Sequence, residues 1–421
     1  MTVSPPAVPP AVPPADASVL RPGRGELADL VRALHAERSA WLPAGLASRL
    51  DWGAPLNRAH QILSLARLDR ILEHNPGDFT ITVEAGAPLE AVQQALAAEG
   101  QWLALDPPWG DAQLGAGSIG GLVARGLAGG YRQRYLGVRD QLIGIGLLRS
   151  DGVAARAGGK VVKNVAGYDL MRLFCGSWGS LGLITELTLR TLPLPPQRRG
   201  LMVQGPLAEL ACLARWLLGS SLTPERLDWW SADLAASAGL SAEPLLLIGL
   251  ASVLESTLEE QISCIAGHTD RAALPLSAAE LDRLSGVARG NGSVDASRQP
   301  DWLLRVGVSP DRIDRLLAAP EWGCLHGCLA AGSGLGLAWN ASPQDPIDAG
   351  RVLRLRERCR ELGGHLTVLR QGSGVAVPAW EDAPSRPLIE ALKRQFDPHD
   401  QLAPGRLPGV AAPNGTGAVR G

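Results

Sequence analysis

The chain has 421 residues, of which 46% are hydrophobic and 19% charged, and its formal net charge is −2. Such a length sets an expectation of two domains, and the near-neutral charge excludes a global basic field for nucleic acid or anionic lipid. The longest apolar run, Leu245 to Leu254, is broken by Gly249 and Ser252 and covers about half of the ~20 residues that a membrane span requires. With no basic stretch and apolar core at its start, the chain is expected in the cytoplasm, meeting a membrane only through partners.

Residues 1–22 are dominated by proline, alanine and valine (SPPAVPPAVPPA); a segment so poor in backbone donors reads as a disordered extended tail. A first domain is expected over 23–195. Within it Phe79 to Val83 (FTITV) has the β-branched content of a strand. Pro88 and Glu90 suit the first turn of a helix whose apolar stripe is Leu89, Val92 and Leu96, with Gly100 as its stop. Gln141 to Arg149 reads as a strand, Asp151-Gly152 as a hairpin turn into Val153 to Ala157, Asp169 to Phe174 as a short helix, and Gly182 to Leu192 as a closing strand. The stretch Leu192 to Gly200 (LPLPPQRRG) holds three prolines and is predicted to be a linker, without helix or central strand. A second domain is expected over 196–407, helical around Leu207 to Leu218, and a flexible Gly/Ala/Pro-rich tail over 408–421.

Six cysteines form no disulfide framework, and no run of four is spaced to hold an iron–sulfur cluster. Cys324, His326 and Cys328 lack a second ligand pair, so no metal is expected there. The densest signal is glycine: seven lie between Gly115 and Gly130, where bare backbone can approach a phosphate. Gly115 to Gly120 matches G-x-G-x-x-G, with Asp140 placed 20 residues beyond, but LDPPWGDAQL before it is a loop rather than the buried strand that a Rossmann site requires. A nicotinamide dinucleotide site is therefore not expected. Gly158 to Leu170 (GGKVVKNVAGYDL) contains Lys160 and Lys163, two of only three lysines, and all three tyrosines (Tyr131, Tyr135, Tyr168) fall in the same region; ammonium, amide and phenol groups together suit a flavin's pyrophosphate and ring edge.

Taken in order, VEAGAPLE, LDPPWG, GSIGGLVARGLAGG, VRDQLIGI, KNVAGYDL and GSWGSLGLITEL (Val83 to Leu187) resemble the FAD-binding domain of the vanillyl-alcohol-oxidase/PCMH flavoprotein family. Within that family, KNVAGYDL and FDPHDQLAPGRLPG (Phe396 to Gly409) are most similar to the FAD-binding E subunits of bacterial glycolate oxidases. The resemblance implies an α+β fold: a PCMH-type domain of two α+β subdomains clasping FAD, followed by an α+β cap domain. It places Asp106, Pro107, Gly117, Ser118, Gly120 and Gly121 along the pyrophosphate and ribityl run. Gly129 and Gly130 lie beside them, with Lys163, Asn164, Gly167 and Tyr168 nearby and Gly182 and Ile184 on the adenine side. Two departures stand out. The first phosphate loop, usually Gly-rich, is WLPAGLASRLDWG and offers mainly Gly45 and Ser48, and Trp178 replaces a common carboxylate. No histidine suits covalent attachment, so FAD is expected to be non-covalent.

Oxidation of a 2-hydroxy acid requires a cation for the carboxylate and a base for the hydroxyl proton. His365 and Arg370 in GGHLTVLRQG are the candidate pair, with a buried histidine and a solvated arginine on a strand as the alternative. The resemblance implies a subunit of a glycolate (2-hydroxy acid) oxidase complex, working with a second FAD-containing subunit and an iron–sulfur subunit, peripheral at the inner membrane through those partners. A stand-alone D-lactate-type dehydrogenase and a non-catalytic flavin-fold scaffold are the other readings.

Overall fold

The computed structural model describes residues 18–58, 60–108, 115–160, 169–290, 300–340, 347–372 and 377–411. The chain separates into two units. One comprises residues 1–127, 137–194 and 380–421; the other comprises 128–136 and 195–379.

The first unit opens with strands β1 (Val19–Leu20), β2 (Trp41–Ala44) and β3 (Gln61–Ser64), a parallel sheet with β3 in the middle. Helix α1 (Leu27–Ala36) buries Leu27, Val31 and Leu34, spaced at one face of a helix. Next come β4 (Ile71–Asn75), β5 (Thr80–Glu84) and α2 (Leu89–Ala97), the last burying the predicted stripe of Leu89, Val92 and Leu96. Pro88 caps α2 rather than lying within its first turn, and Gly100 ends the stretch at φ +66°. The short β6 (Gln101–Trp102) is followed by α3 (Ile119–Arg125), β7 (Leu142–Leu148), β8 (Ala154–Gly158), β9 (Leu183–Arg190) and the two-residue β10 (Leu192–Pro193). An antiparallel five-stranded sheet runs β4-β5-β9-β7-β8, and β10 pairs with β6. The Asp151-Gly152 turn joins β7 to β8 as expected, with Gly152 at φ +77°.

The second unit holds one antiparallel sheet of eight strands: β11 (Gln197–Gln204), β12 (Arg226–Trp230), β13 (Leu245–Ser252), β14 (Ala273–Leu276), β15 (Leu303–Gly307), β16 (Leu325–Ala330), β17 (Leu335–Asn340) and β18 (His365–Arg370). Their order is β14-β11-β13-β12-β16-β17-β15-β18. One face is covered by the helices Leu207–Gly219 and Ala349–Glu361, whose Leu210, Leu213, Val352 and Leu355 join Leu246, Ile248, Leu304 and Val306 in a single core. A layer of helices on one face of an antiparallel sheet is the α+β arrangement that the sequence implies.

Four expectations change. Residues 18–22, predicted disordered, include β1, which pairs in parallel with β3; residues 1–17 lie outside the described set. The predicted linker runs into β11, which pairs with both β13 and β14, because every residue beyond Pro196 keeps its backbone donor. Residues 380–407 pack with the first unit instead of the second: the Trp41 amide donates to the Gln401 carbonyl at 2.8 Å, and the Ala403 amide to the Trp41 carbonyl at 2.9 Å. Residues 408–411 are described, whereas the remainder of the predicted tail, 412–421, lies outside the described set. Finally, 128–136 groups with the second unit, where the Tyr131 hydroxyl accepts from Arg198 Nη2 at 2.7 Å and the Gly332 amide donates to Gln133 at 3.2 Å. Among the described residues, no helix is long and apolar enough to cross a membrane.

Candidate flavin site

A cavity of about 780 Å3, counting its mouth, opens within the first unit. Its walls come from the chain after β2, from the start and end of α3, from Trp178 and Gly179, from the start of β9, and from Arg406. Helix α3 is seated by its own backbone. The amides of Ile119 and Gly120 donate to the carbonyls of Ala87 and Ala85 at 2.9 and 2.8 Å. A Cβ on Gly120 would meet the Ala85 oxygen at 2.6 Å, so only glycine permits this approach. Ser118 caps the helix, its Oγ accepting from the Gly121 amide at 3.1 Å. Gly45 is required opposite: a Cβ there would fall 1.9 Å from Ser118 Oγ. Two cavity residues without the freedom of glycine, Ala47 and Trp178, hold left-handed backbone at φ +60° and +55°. Conformations of this kind persist where the surroundings over-determine them, and ligand clamps are one such setting.

The electrostatics are cationic. Arg49 is buried and spends its donors on Ser48 Oγ (3.1 Å), the Ala116 carbonyl (2.9 Å) and the Pro108 carbonyl (3.1 Å). Arg125 lies over the Trp52 ring at 5.9 Å from its centroid, with Arg49 over the same ring at 5.3 Å. Among the described residues Arg125 has no carboxylate partner; burial and the charge of Arg49 push its pKa down. Burial also brings Arg406 down to about 10, against the pull of Asp51.

Of the residues expected to hold the cofactor, Ser118, Gly120, Gly121, Gly182 and Ile184 line this cavity, and Gly117 adjoins it through Ser48 and Arg49. Asp106 is buried and Pro107 half-buried nearby in the chain, but neither lines the wall. Gly129 and Gly130 are not among the lining residues; both group with the second unit, where a Cβ on Gly130 would stand 2.5 Å from the Asp228 carboxylate. Tyr131 and Tyr135 also group with the second unit. Lys163, Asn164, Gly167 and Tyr168 lie outside the described residues. Lys160 is an exposed partner of Glu73. His365 and Arg370 begin and end β18, roughly 16 Å apart at the rise of a strand. His365 is exposed and Arg370 donates to the Pro300 carbonyl, so the geometry does not bring them together as a base and clamp. Arg49, Arg125, Arg406 and Trp52 were not marked by sequence. Their one signal was the position of Arg49 directly after Gly45 and Ser48, and in a chain with 40 basic residues that signal is faint.

The donor set fits FAD. Cβ-free backbone at Gly45, Gly120 and Gly121 makes room for an extended ligand, Leu46, Ile184 and Trp178 give it apolar walls, and the guanidinium groups answer a pyrophosphate.

Comparison with known proteins agrees. Residues 18–158 match the FAD binding domain family. Glycolate oxidase subunit GlcE of Escherichia coli (strain K12) is 29% identical over 80% of this chain and 84% of its own length. Glycolate oxidase subunit GlcD of Bacillus subtilis (strain 168) is 25% identical over 93% and 88%. A D-2-hydroxyglutarate dehydrogenase of Xanthomonas citri is 37% identical over 43% and 38%. Among solved structures, alkyldihydroxyacetonephosphate synthase shares the fold at a TM-score of 0.65 with 15% identity, covering 92% of this chain and 75% of that one. Residues 18–158 of the first unit thus carry a PCMH-type FAD-binding domain, in a chain similar over most of its length to glycolate oxidase subunits.

Proposed function

We propose that the chain is the FAD-carrying subunit of an enzyme complex that oxidises a small 2-hydroxy acid, glycolate being the first candidate, to the 2-oxo acid. The observation that carries this is the cationic, glycine-walled cavity of the first unit in a chain similar along most of its length to a glycolate oxidase subunit. FAD, when bound, supplies the acceptor for the hydride equivalent. The chain's own residues bind and orient it: Arg49, Arg125 and Arg406 hold positive charge, and Gly45 with Gly120 keeps α3 and the loop after β2 at contact distance. No histidine, cysteine or tyrosine lies among the described residues lining the cavity, which supports non-covalent binding.

Oxidation releases two electrons and two protons, and the electrons must leave through another protein, since no cysteine spacing here suits an iron–sulfur cluster. A second FAD-containing subunit and an iron–sulfur subunit are the partners this reading requires. The failure of His365 and Arg370 to meet favours chemistry completed with a partner. The scaffold reading rested on the glycine-poor first loop, and the arginines around that loop speak against it.

The test is to purify the chain alone, record its visible spectrum, and add glycolate without oxygen. Bound flavin in near-equal amount, hardly reduced by glycolate until the second flavin subunit is added, is the expected result. Full turnover by the isolated chain would remove the subunit reading, and absence of flavin binding would remove the cofactor reading.

A further inference from the structure

We infer that Arg125, braced by Arg49 across the Trp52 ring, is the cation that binds the pyrophosphate of the dinucleotide, supplying by side chain what the glycine-poor loop after β2 cannot supply by backbone. This deepens the FAD reading and rests on it.

The geometry converges on one point. Gly117 has no side chain, and a Cβ there would stand 2.8 Å from Arg49 Nη1 and 4.0 Å from Arg125 Nη2. A Cβ on Gly121 would stand 3.5 and 3.6 Å from the two terminal nitrogens of Arg125. Two guanidinium groups from separate elements, the loop after β2 and the last turn of α3, therefore meet over the bare backbone of the Gly117–Gly121 turn.

Their partners differ. Arg49 is tied into the wall by the Ser48 hydroxyl and the carbonyls of Ala116 and Pro108. Arg125 has no such bond among the described residues; its neighbours are the indole face and another cation. Burial and the charge of Arg49 both act against the cationic form of Arg125, and no hydrogen bond or carboxylate among the described residues offsets this at Arg125. A doubly negative diphosphate does. Guanidinium, with its planar fork of donors, is also the side chain best matched to paired phosphate oxygens. The alternative, that Arg125 merely packs on Trp52, leaves its guanidinium donors without a hydrogen bond among the described residues and makes a different prediction.

The experiment is titration of the flavin-free full chain with FAD and, separately, with riboflavin, which shares the ring but has no phosphate. Binding is read by quenching of flavin fluorescence. Arg125→Gln is expected to weaken FAD about tenfold to a hundredfold, the effect of losing charge-assisted hydrogen bonds, while riboflavin binding is unchanged. Arg125→Lys, which keeps the charge and loses the fork, is expected to fall between. Because Arg125 makes no wall contact by hydrogen bond and repels Arg49, the flavin-free Arg125→Gln protein should melt no lower than the parent. FAD affinity within twofold of the parent, or equal losses of FAD and riboflavin, would overturn the inference. If the parent chain itself binds riboflavin and FAD equally weakly, it is the FAD reading that fails.

Discussion

Lys393 carries its ammonium into the interior of the first unit, with only 8% of the side chain exposed. It donates to Asp397 Oδ2 at 2.6 Å, to the Leu402 carbonyl at 2.8 Å and to the Ser180 carbonyl at 2.9 Å. Asp397 is fully buried and accepts in turn from the amides of Gln401 and Leu402. One side chain thus ties the C-terminal segment to the Ser177–Gly182 turn. Replacing Lys393 with methionine leaves the carboxylate buried and uncompensated, a change that typically costs about 3–5 kcal/mol. Urea unfolding of the full chain should show that loss, and Lys393→Met combined with Asp397→Asn, which removes the buried charge but keeps an acceptor for the amides of Gln401 and Leu402, should recover part of it. A single variant within about 0.5 kcal/mol of the parent, the range of ordinary surface changes, would mean that the pair is better hydrated than the structure indicates.

At the scale of elements, β5 and β9 place Glu84 directly opposite Glu186. Like charges facing across two strands destabilise a sheet. Arg24 resolves the conflict by donating to Glu84 at 2.9 Å and to Glu186 at 2.7 Å, while Arg70 donates to Glu84 through its amide, Nε and Nη2, and Arg156 Nη2 reaches both oxygens of Glu186. Burial pushes the Glu84 pKa up, but hydrogen bonds from Arg70 and Arg24 outweigh it, and the net direction is downward. A carboxylate whose folded pKa lies below its unfolded value contributes stability above the unfolded pKa and loses it as pH falls through the folded one. Arg24→Ala should therefore lower the melting temperature near neutral pH, with a cost of about 1–2 kcal/mol after allowing for the half-exposed arginine. The difference from the parent should shrink below about pH 4, the carboxylate range. A difference that stays constant down to pH 3 would detach it from these glutamates. The strands themselves were legible: FTITV and GLITELTL announce β5 and β9 by their β-branched content, and the α2 stripe announces its buried face. The pairing of two glutamates was not legible, because register is set by long-range hydrogen bonding. The same limit applies to the site. Glycines marked the Gly117–Gly121 turn, since backbone contact demands a missing Cβ wherever it occurs. Arginines gave no mark, because a solvated guanidinium and a ligand-facing one are the same letter. His365 and Arg370 looked like a pair because they are close in sequence, yet a strand carries five residues about 16 Å.

At the scale of the molecule, the first unit is discontinuous in sequence: residues from 380 onward complete a domain begun before residue 127. The family match ends at residue 158, but the cavity does not, because Arg406 lies in its wall. Arg406 is buried, and its Nε donates to the Ala54 carbonyl at 2.7 Å and its Nη2 to the Leu50 carbonyl at 2.6 Å. These carbonyls belong to the loop that carries Ser48, Arg49 and Trp52, so the far end of the chain fixes the loop on which the cationic wall depends. Arg406→Leu keeps the apolar bulk but leaves two carbonyl groups without a donor, at a cost of about 2–4 kcal/mol for the pair. Hydrogen exchange should then quicken over residues 45–54 while β5, β7 and β9 stay protected. Because the whole loop loosens, riboflavin affinity should fall as well as FAD affinity, unlike the loss confined to FAD that is expected at Arg125. Unchanged exchange over 45–54 would show that the loop holds itself, and the C-terminal segment would then be a lid on the domain instead of a strut within it.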